Sequence, residues 1–451
     1  MRLTILGGGG FRVPLVHGAL LGDRAEGRIR QVTLYDTDPA RLAAMARVLA
    51  DQTAAAGLPD APAVTATGDL DEALRGADFV FSAIRVGGLD GRAADERVAL
   101  GLGVLGQETV GAGGIAYGLR TVPVARELAR RIARTAPDAW VINFTNPAGL
   151  VTEAMAEELG DRVIGICDSP VGLGRRIARL LGVRPEEAWI DYVGLNHLGW
   201  VRGLRVRGRD ELPRLLADTA ALESFEEGRL FGADWLRSLG AIPNEYLHYY
   251  YFNRETVRAY QEAERTRGAF LRDQQAAFYA EAGRPALPPG AALAAWDRAR
   301  AEREATYMAE NREAAGAGER EESDLESGGY ERVALALMRA IARDERTTLI
   351  LNVRGRGILA PLDAAAVIEV PCLVDANGAH PVAVDPLPYH ATGLVTAVKA
   401  VERAVLRAAA SGSRADAVTA FALHPLVDSV AVARRLVDGY AAAHPGLAHL
   451  R

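Results

Sequence analysis

The stretch "RLTILGGGGFRVP", residues 2–14, decides the fold of this chain. A short strand-like run enters four consecutive glycines, Gly7, Gly8, Gly9 and Gly10, and then a sequence typical of a helix start. Glycines let the backbone approach a pyrophosphate, and the next helix N-terminus would face that anion. Arg12 stands where the third glycine of G-x-G-x-x-G belongs, so the match is incomplete. Alone, the stretch also fits a tight turn that binds no ligand.

A second strand pattern, "VTLYDTDPAR" at residues 32–41, ends at Asp36. An acidic side chain there would reach the ribose hydroxyls of a dinucleotide and favours NAD over NADP. Asp36 could instead cap the next helix, although Asp38 before a proline also fits that role. Two more apolar runs begin at Ala77 and Ala139, with an alanine-rich helical stretch before the first. This alternation predicts a doubly wound parallel sheet and hence an α/β fold.

The composition limits the class of protein. The chain has 451 residues, enough for two domains, with 49% hydrophobic and 24% charged residues. A net charge of −6 predicts no nucleic-acid partner. Two cysteines, no signal-peptide layout and no run of about 18 apolar residues predict a cytoplasmic protein without a membrane span. Lys399 is the only lysine, which rules out a phosphate-loop lysine.

Polar side chains follow three apolar runs in a way typical of a ligand-binding sheet edge. "AWVINFTNPAG" carries Asn146, "VIGICDSP" carries Cys167, and "YVGLNHLGW" carries His197. Ligands of such sheets bind in the crevice at the carboxyl ends of the strands, so these side chains could meet there. A thiolate and an imidazole at two strand ends could share one divalent metal, although their spacing alone is not a zinc motif.

A long glycine-punctuated segment before the strand at residue 139 carries further polar candidates. Arg85 and Arg92 could bind an anionic substrate group or belong to solvated surface. Loops at the carboxyl edge of a sheet often carry chemistry, which makes the whole segment of interest. The polar candidates in it are Arg85, Arg92, Asp95, Glu96, Gln107 and Glu108.

The second half of the sequence is mostly helical in pattern. "GAIPNEYLHYYYF" would place Tyr246 and Tyr250 on one helix face, although tyrosine clusters are usually core. The charged stretch at residues 296–316 predicts a solvated or oligomer-facing helix, and residues 315–329 an acidic flexible loop. "TTLILNVRGRGIL" and "AAVIEVPCLVDANGAHPVAV" predict strands, with Cys372 as plain core, and amphipathic helices follow.

An NAD site beside a cysteine and a histidine points to a redox step on an oxygen bound to a Lewis acid. A metal can polarise a hydroxyl or carbonyl oxygen and stabilise an alkoxide or enediolate. Two protein ligands would leave positions open for a chelating substrate. The residues therefore favour a metal-assisted, dehydrogenase-like enzyme that acts on a vicinal diol such as a sugar.

Taken together, "LGGGGFRVP", "LGQETVGAGG", "INFTNPAG", "GICDSP", "GLNHLGW" and "IPNEYLHYYY" resemble glycoside hydrolase family 4, the NAD- and manganese-dependent glycosidases. Within the family, the chain resembles the 6-phospho-β-glucosidase branch, and the likeness covers nearly the whole chain. The resemblance implies an N-terminal Rossmann-type doubly wound parallel sheet, like that of lactate and malate dehydrogenases, over residues 1–165. It also implies a C-terminal mixed α+β substrate domain over residues 166–451, and a homodimer or homotetramer.

The resemblance further implies how a phosphorylated sugar glycoside would be cleaved. NAD+ takes hydride from C3, the ketone acidifies the C2 hydrogen, and a base removes it. The C1–oxygen bond breaks by elimination, water adds, and the hydride returns, so the cofactor is regenerated in each turnover. A tyrosine base needs a lowered pKa, which a nearby divalent cation would supply.

Residue by residue, the resemblance assigns roles to positions of this chain. Cys167 and His197 match the manganese ligands, and Tyr246 matches the C2 base. The NAD site corresponds to Gly7, Gly8, Gly9, Gly10, Phe11, Asp36 and Asn146. Asn146 also matches a residue that holds sugar hydroxyls, and the further substrate-binding positions are Arg85, Arg92, Glu108 and Asp168.

Three departures from the family pattern concern the substrate. Asp168 stands where the family usually has Asn after the metal-binding cysteine, which adds a negative charge there. The glycine motif at residues 327–329 lacks the expected arginine, and Arg354 replaces an expected Asn. Arg354 and Arg356 could restore a cationic pocket, or the substrate could be unphosphorylated. A simple NAD-dependent dehydrogenase and a non-catalytic NAD-binding regulator are the remaining alternatives.

Overall fold

The N-terminal half forms a six-stranded parallel sheet, seen in a computed structural model that describes residues 1–317 and 329–450. The strand order is β3-β2-β1-β4-β5-β6, the order of doubly wound dinucleotide-binding sheets. The predicted fold class is therefore confirmed. The strands are β1 Arg2–Leu6, β2 Gln31–Tyr35, β3 Ala63–Thr67, β4 Phe79–Ser82, β5 Trp140–Asn143 and β6 Val163–Gly165.

Strand β3 was not predicted, because it lies inside a stretch that the sequence pattern assigned to helix. It pairs in parallel with β2, with Ala63 opposite Gln31, and forms the outer edge of the sheet. None of its five residues is fully buried, so it lacks the apolar pattern of the inner strands. An exposed edge strand is held mainly by its backbone hydrogen bonds. Because these bonds do not depend on the type of side chain, the sequence pattern does not reveal the strand.

The sheet continues beyond β6 into the second half of the chain. Strand β11 pairs antiparallel with β6, placing Asn352 opposite Gly165, and the described residues contribute thirteen strands to one sheet. The two strand regions predicted for the second half are present as β11, β12 and β13. The remaining strands are β7 Ala188–Leu195, β8 Leu198–Val206, β9 Arg209–Asp210, β10 Ile242–Pro243, β11 Thr347–Arg354, β12 Val367–Asp375 and β13 Gly378–Pro381.

Helices surround the sheet, and the predicted C-terminal helices are present as α18 to α20. Within the described ranges, no helix is long and apolar enough to cross a membrane. The helices are α1 Val13–Gly22, α2 Pro39–Ala56, α3 Leu70–Leu74, α4 Gly88–Leu100, α5 Gly111–Thr135, α6 Ala148–Leu159, α7 Ser169–Leu180, α8 Leu212–Ala217, α9 Thr219–Glu223, α10 Glu226–Phe231, α11 Ala233–Leu239, α12 His248–Tyr251, α13 Asn253–Glu262, α14 Arg267–Ala282, α15 Ala291–Ala305, α16 Ala309–Ala315, α17 Tyr330–Arg343, α18 Tyr389–Ser411, α19 Arg414–Leu423 and α20 Val430–Ala443.

Successive side chains of the parallel strands enter cores on opposite faces of the sheet. Ile5 and Phe81 pack in the cluster that also contains buried residues of α1 and α2. Leu6 and Val80 pack in the cluster of α3, α5 and α6. Because helices cover both faces, the carboxyl edge of the strands is where polar side chains can reach a ligand.

Candidate active site

A cavity of about 570 Å³ lies at the carboxyl ends of the parallel strands. It receives side chains from both halves of the chain, including Asn146, Cys167, His197 and Tyr246. The predicted residues Gly10, Phe11, Arg85, Arg92, Glu108 and Asp168 also line it. Residues predicted from distant stretches of sequence are thus brought together, while Gly7, Gly8, Gly9 and Asp36 lie next to the cavity rather than in its wall.

Cys167 lies two residues beyond the end of β6, where the chain turns into α7. Its side chain is buried, with 4% of its surface exposed. Burial, and then the negative charges of Glu369 and Asp168, raises the pKa of the Cys167 thiol well above its usual value. Asp168 occupies the N-cap position of α7 without a capping hydrogen bond from its side chain, so its carboxylate stays available to the cavity.

His197 lies at the tip of the hairpin between β7 and β8, in a two-residue turn, with a φ of 60°. Its Nδ1 is 2.7 Å from Thr109 Oγ1, and that hydroxyl donates its own hydrogen to Gln107 Oε1 at 3.1 Å. A hydroxyl has only one hydrogen, so Thr109 must accept from Nδ1–H. The lone pair of His197 then resides on Nε2, the nitrogen that can bind a metal.

The donors at this edge fit a divalent metal with open coordination positions. Burial lowers the pKa of His197 to about 3, so the imidazole is neutral, as a metal ligand requires. A cation between Cys167 and His197 would offset the carboxylates nearby and favour the thiolate. Within residues 1–317 and 329–450, no group of three or more His, Cys, Asp or Glu side chains is placed to hold a metal.

Tyr246 lies flat against His197, with ring centroids 3.7 Å apart and an interplanar angle of 1°. Its hydroxyl accepts a hydrogen bond from the Tyr307 hydroxyl at 3.0 Å. Burial, and then Glu245, raises the pKa of Tyr246 well above its usual value. Tyr246 and Tyr250, expected on one helix face, pack against the same buried cluster: Tyr246 is in a 3-10 turn that runs directly into α12, and Tyr250 also stacks on His424. Asn244 caps this turn, which redirects the chain.

The glycine turn after β1 packs closely against the neighbouring strands. Gly7 has a φ of 80°, and a Cβ there would lie 2.6 Å from the carbonyl oxygen of Ala83. Asp36, just beyond β2, accepts a hydrogen bond from the Gly9 amide at 2.9 Å. Asp38 caps α2, as one of the two alternatives expected, and thus leaves Asp36 beside the turn. Phe11 contacts the cavity but packs edge-on against Phe278 in the core.

Arg85, Arg92 and Glu108 form one ionic cluster in the cavity wall. Both guanidinium groups pair with Glu108, and Arg92 also pairs with Glu96 at 3.0 Å. Although burial raises it, Arg85 and Arg92 together lower the pKa of Glu108 below its usual value. Glu96 and Asp95 do not line the cavity: Asp95 pairs with Arg120, which ties α4 to α5. Solvated surface is thus the wrong description of Arg92, which is buried.

One cavity wall was missed by the sequence patterns. The helix α15, predicted to be solvated or to face an oligomer partner, has an exposed outer face, but it also turns Trp296, Arg300 and Arg303 toward the cavity. Tyr307 follows just after its end. A buried helix face is usually marked by an apolar residue at every third or fourth position. In this stretch arginine and alanine occupy those positions, so the buried face was not recognised.

The positions expected to restore phosphate binding lie elsewhere. Arg354 and Arg356 both pair with Asp161 on the surface, at 2.7 and 2.8 Å, and neither lines the cavity. The expectation that they form a cationic pocket is wrong. Strand β11 runs antiparallel to β6, so it ends beside the amino end of β6, away from the carboxyl ends of the parallel strands where the cavity lies. Residues 327 and 328 of the glycine motif, and most of the predicted acidic loop, lie outside the described residues.

Comparison with known proteins agrees with this geometry. Residues 2–183 match the family 4 glycosyl hydrolases, and residues 192–427 match their C-terminal domain. The chain is 32% identical to an Escherichia coli 6-phospho-beta-glucosidase over 83% of this chain and 80% of that protein. It is 31% identical to a Leptotrichia buccalis 6-phospho-alpha-glucosidase over 97% and 96%.

Solved structures show the same fold at full length. The 6-phospho-beta glucosidase of Thermotoga maritima, solved with manganese, NAD+ and glucose-6-phosphate, is 26% identical with a TM-score of 0.80, over 99% of this chain and 98% of that one. A lactate dehydrogenase from a deep-sea metagenome library shares the fold alone, with 13% identity and a TM-score of 0.54 over 91% and 98%. From these matches over both halves, the chain belongs to glycoside hydrolase family 4.

Proposed function

We propose that this protein is an NAD- and divalent-metal-dependent glycosidase that hydrolyses 6-phospho-β-glucosides. The observation that carries the proposal is the stacking of Tyr246 on His197 at 3.7 Å, in the cavity that Cys167 also lines. The side chains that we assign as base and metal ligands line one cavity, and the glycine turn lies beside it. Manganese and NAD are the metal and cofactor we assign, since a related structure holds both.

Bound NAD and Mn2+ would supply a hydride acceptor at C3 and a Lewis acid for the neighbouring sugar oxygens. The residues of the chain supply the rest. Cys167 and His197 hold the cation and thereby fix the sugar hydroxyls, assisted by Asn146. Tyr246, as phenolate, takes the proton from C2 and returns one after water has added. The cation beside it is the group that opposes the effect of burial on its pKa.

The glycine turn and the N-terminus of α1 would receive the dinucleotide. Gly8 and Gly9 belong to the turn that leads from β1 to α1. Asp36, whose carboxylate accepts from the Gly9 amide, stands at the end of β2, where the ribose hydroxyls bind in such folds. Asp36 Oδ2 accepts from the Gly9 amide, and Asp36 Oδ1 accepts from the Asp38 amide at 3.0 Å. Arg85 and Arg92 frame the sugar through Glu108, and Asp168 adds a carboxylate beside the metal.

The anomer and the phosphate are the finer parts of the proposal. Relatives of nearly equal identity are named for the β- and the α-phosphoglucosides, which makes the α-anomer the second candidate. Cleavage of an unphosphorylated glycoside is a third, favoured by the surface position of Arg354. A cytoplasmic homodimer or homotetramer completes the proposal, and light scattering would give the assembly size.

A panel of four aryl glucosides tests this function. The α- and β-anomers, each with and without a 6-phosphate, are incubated with NAD+, Mn2+ and a reductant, and release of the aryl alcohol is followed. We expect the 6-phospho-β-glucoside to be cleaved fastest, and cleavage to require both NAD+ and the metal. Preference for the α-anomer or for a free sugar would select the second or third candidate. No turnover of any of the four would refute glycosidase activity.

A further inference from the structure

The central cavity carries more positive than negative side chains. Within the described residues, nine arginines and six carboxylates line it. Several arginines are already committed: Arg85 and Arg92 pair with Glu108, and Arg176 pairs with Glu227. The remaining positive charge is what an anionic ligand would meet.

Arg303 is an arginine of the cavity that has no ion pair among the described residues; the carboxylate that acts on it, Glu108, already pairs with Arg85 and Arg92. It lies on the inner side of α15, half-buried, and its side chain makes no hydrogen bond or ion pair with any described residue. Its nearest charged neighbours include other cations. Burial, and then repulsion from Arg12 and Arg267, lowers the pKa of Arg303 well below its usual value. Holding a guanidinium in such surroundings costs stability, which suggests that a ligand uses it.

Arg12 is another arginine of the cavity without an ion pair among the described residues, as are Arg41 and Arg332. Its guanidinium lies over the rings of Phe144 and Tyr330, at 5.4 and 5.3 Å from their centroids. The Tyr330 hydroxyl in turn donates to the Arg12 carbonyl oxygen at 2.6 Å, which fixes the residue. The side chain is thus turned away from Asp36, toward the ends of β5 and β6.

These positions favour the substrate over the dinucleotide as the ligand. The backbone of the glycine turn and α1 suffice for a pyrophosphate. Arg12 instead lies by Phe144, two residues before Asn146, on the sugar-binding side of the cavity. Arg303 lines the same cavity from α15. A dianionic group between them would accept hydrogen bonds from both guanidinium groups.

We propose that Arg12 and Arg303 form an anion subsite that binds the phosphate monoester of the substrate, in place of the arginine missing from the glycine motif at residues 327–329. The inference rests on the proposed function, since it names the group by which that substrate is selected. It makes Arg303 a specificity-determining residue contributed by a helix whose sequence resembles solvated surface.

The test is calorimetry on the wild type, Arg303→Met and Arg12→Met. Glucose 6-phosphate, glucose and inorganic phosphate are titrated into each protein loaded with Mn2+ and NAD+, and NAD+ is titrated into each protein loaded with Mn2+ alone. We expect each variant to raise the Kd for glucose 6-phosphate on the order of 10- to 100-fold, as for a lost charged hydrogen bond. Kd for NAD+ and for glucose should stay within about twofold. Arg303→Lys, which keeps the charge, should recover part of the affinity.

The matched control is Arg298→Met, on the same helix but in a surface ion pair with Glu281. It should leave all four Kd values unchanged. Because Arg303 has no hydrogen-bond or ion-pair partner for its side chain within residues 1–317 and 329–450, Arg303→Met should keep or raise the Tm, whereas a structural arginine would lower it. An unchanged Kd for glucose 6-phosphate, a loss of NAD+ affinity instead, or a lowered Tm with equal losses for all ligands would each overturn the subsite.

The subsite and the glycosidase activity can fail separately. If the wild-type protein binds glucose 6-phosphate through Arg303 yet cleaves none of the four aryl glucosides, the function falls and the subsite stands. If it cleaves the phosphorylated glucoside while Arg303→Met and Arg12→Met bind glucose 6-phosphate as tightly as the wild type, the subsite alone falls.

Discussion

Two walls of the cavity differ in how they are built. The strand wall, consisting of Asn146, Cys167 and His197, follows the ends of β5, β6 and β7. The helix wall, consisting of Arg303 and Tyr307, comes from α15 and the residues after it. The strand wall carries the thiol and the imidazole that we propose as metal ligands. The helix wall carries Arg303, which has no ion pair among the described residues, and the Tyr307 hydroxyl, which donates to Tyr246. The strand wall suits chemistry that relatives share, and the helix wall suits the choice of substrate.

The largest effect is expected from replacing Cys167 in the strand wall. Cys167→Ser replaces the soft thiolate by a weak hydroxyl ligand, and the loss of Lewis-acid stabilisation should lower kcat/KM on the order of 10³-fold. Manganese bound per protein, measured by elemental analysis after dialysis, should fall with it. Cys372→Ser is the control, since that cysteine is buried in β12 away from the cavity. Full retention of manganese by Cys167→Ser would remove the cysteine from the metal site.

A smaller effect is expected when the hydrogen bond between Thr109 and the His197 ring is removed. Thr109→Val removes the acceptor that holds Nδ1–H of His197, so the imidazole can rotate or change tautomer. Loss of a hydrogen bond that orients a metal ligand lowers metal affinity about 10- to 100-fold. The Kd for Mn2+, from titration followed by electron paramagnetic resonance, measures it. Thr396→Val, on exposed α18, should change nothing. Equal Kd values for Thr109→Val and wild type would refute the hydrogen-bond role.

The smallest effect is expected at the arginines first assigned to phosphate. The double variant Arg354→Ala with Arg356→Ala removes surface ion pairs with Asp161, and exposed pairs contribute little. The ratio of kcat/KM for phosphorylated and free aryl glucosides should stay within about twofold of the wild type. A collapse of that ratio would move phosphate recognition to β11 and away from the helix wall.

The strand wall could be predicted because each of its residues follows an apolar run. Parallel strands bring their carboxyl ends together, so order along the chain already implied proximity for Asn146 and Cys167. The tautomer of His197 could not be predicted, since Thr109 contacts it from 88 positions away in the sequence. The helix wall was invisible for another reason. On α15, buried and exposed positions carry the same arginines and alanines, so no periodicity marks the inner face.

The fold followed the same division. Inner strands such as β1 and β4 are apolar on both faces and were recognised, whereas the edge strand β3 was hidden by its exposed alanines and threonines. The continuation of the sheet through β11 depends on a short antiparallel pairing at Asn352 and Gly165. Pairing between segments so far apart in sequence leaves no local signature, so composition and periodicity could not supply it.

The measurement that tests the central claim most directly follows the hydrogen on C2. The 6-phospho-β-glucoside is cleaved in D2O with NAD+ and Mn2+, and the released sugar phosphate is examined by NMR. We predict deuterium at C2 of the product, slower turnover of a C2-deuterated substrate in H2O, and loss of both cleavage and exchange in Tyr246→Phe but not in Tyr250→Phe. A product that keeps its original hydrogen at C2, formed with no isotope effect, would contradict the account, because a base stacked on a metal ligand would then have no proton to remove.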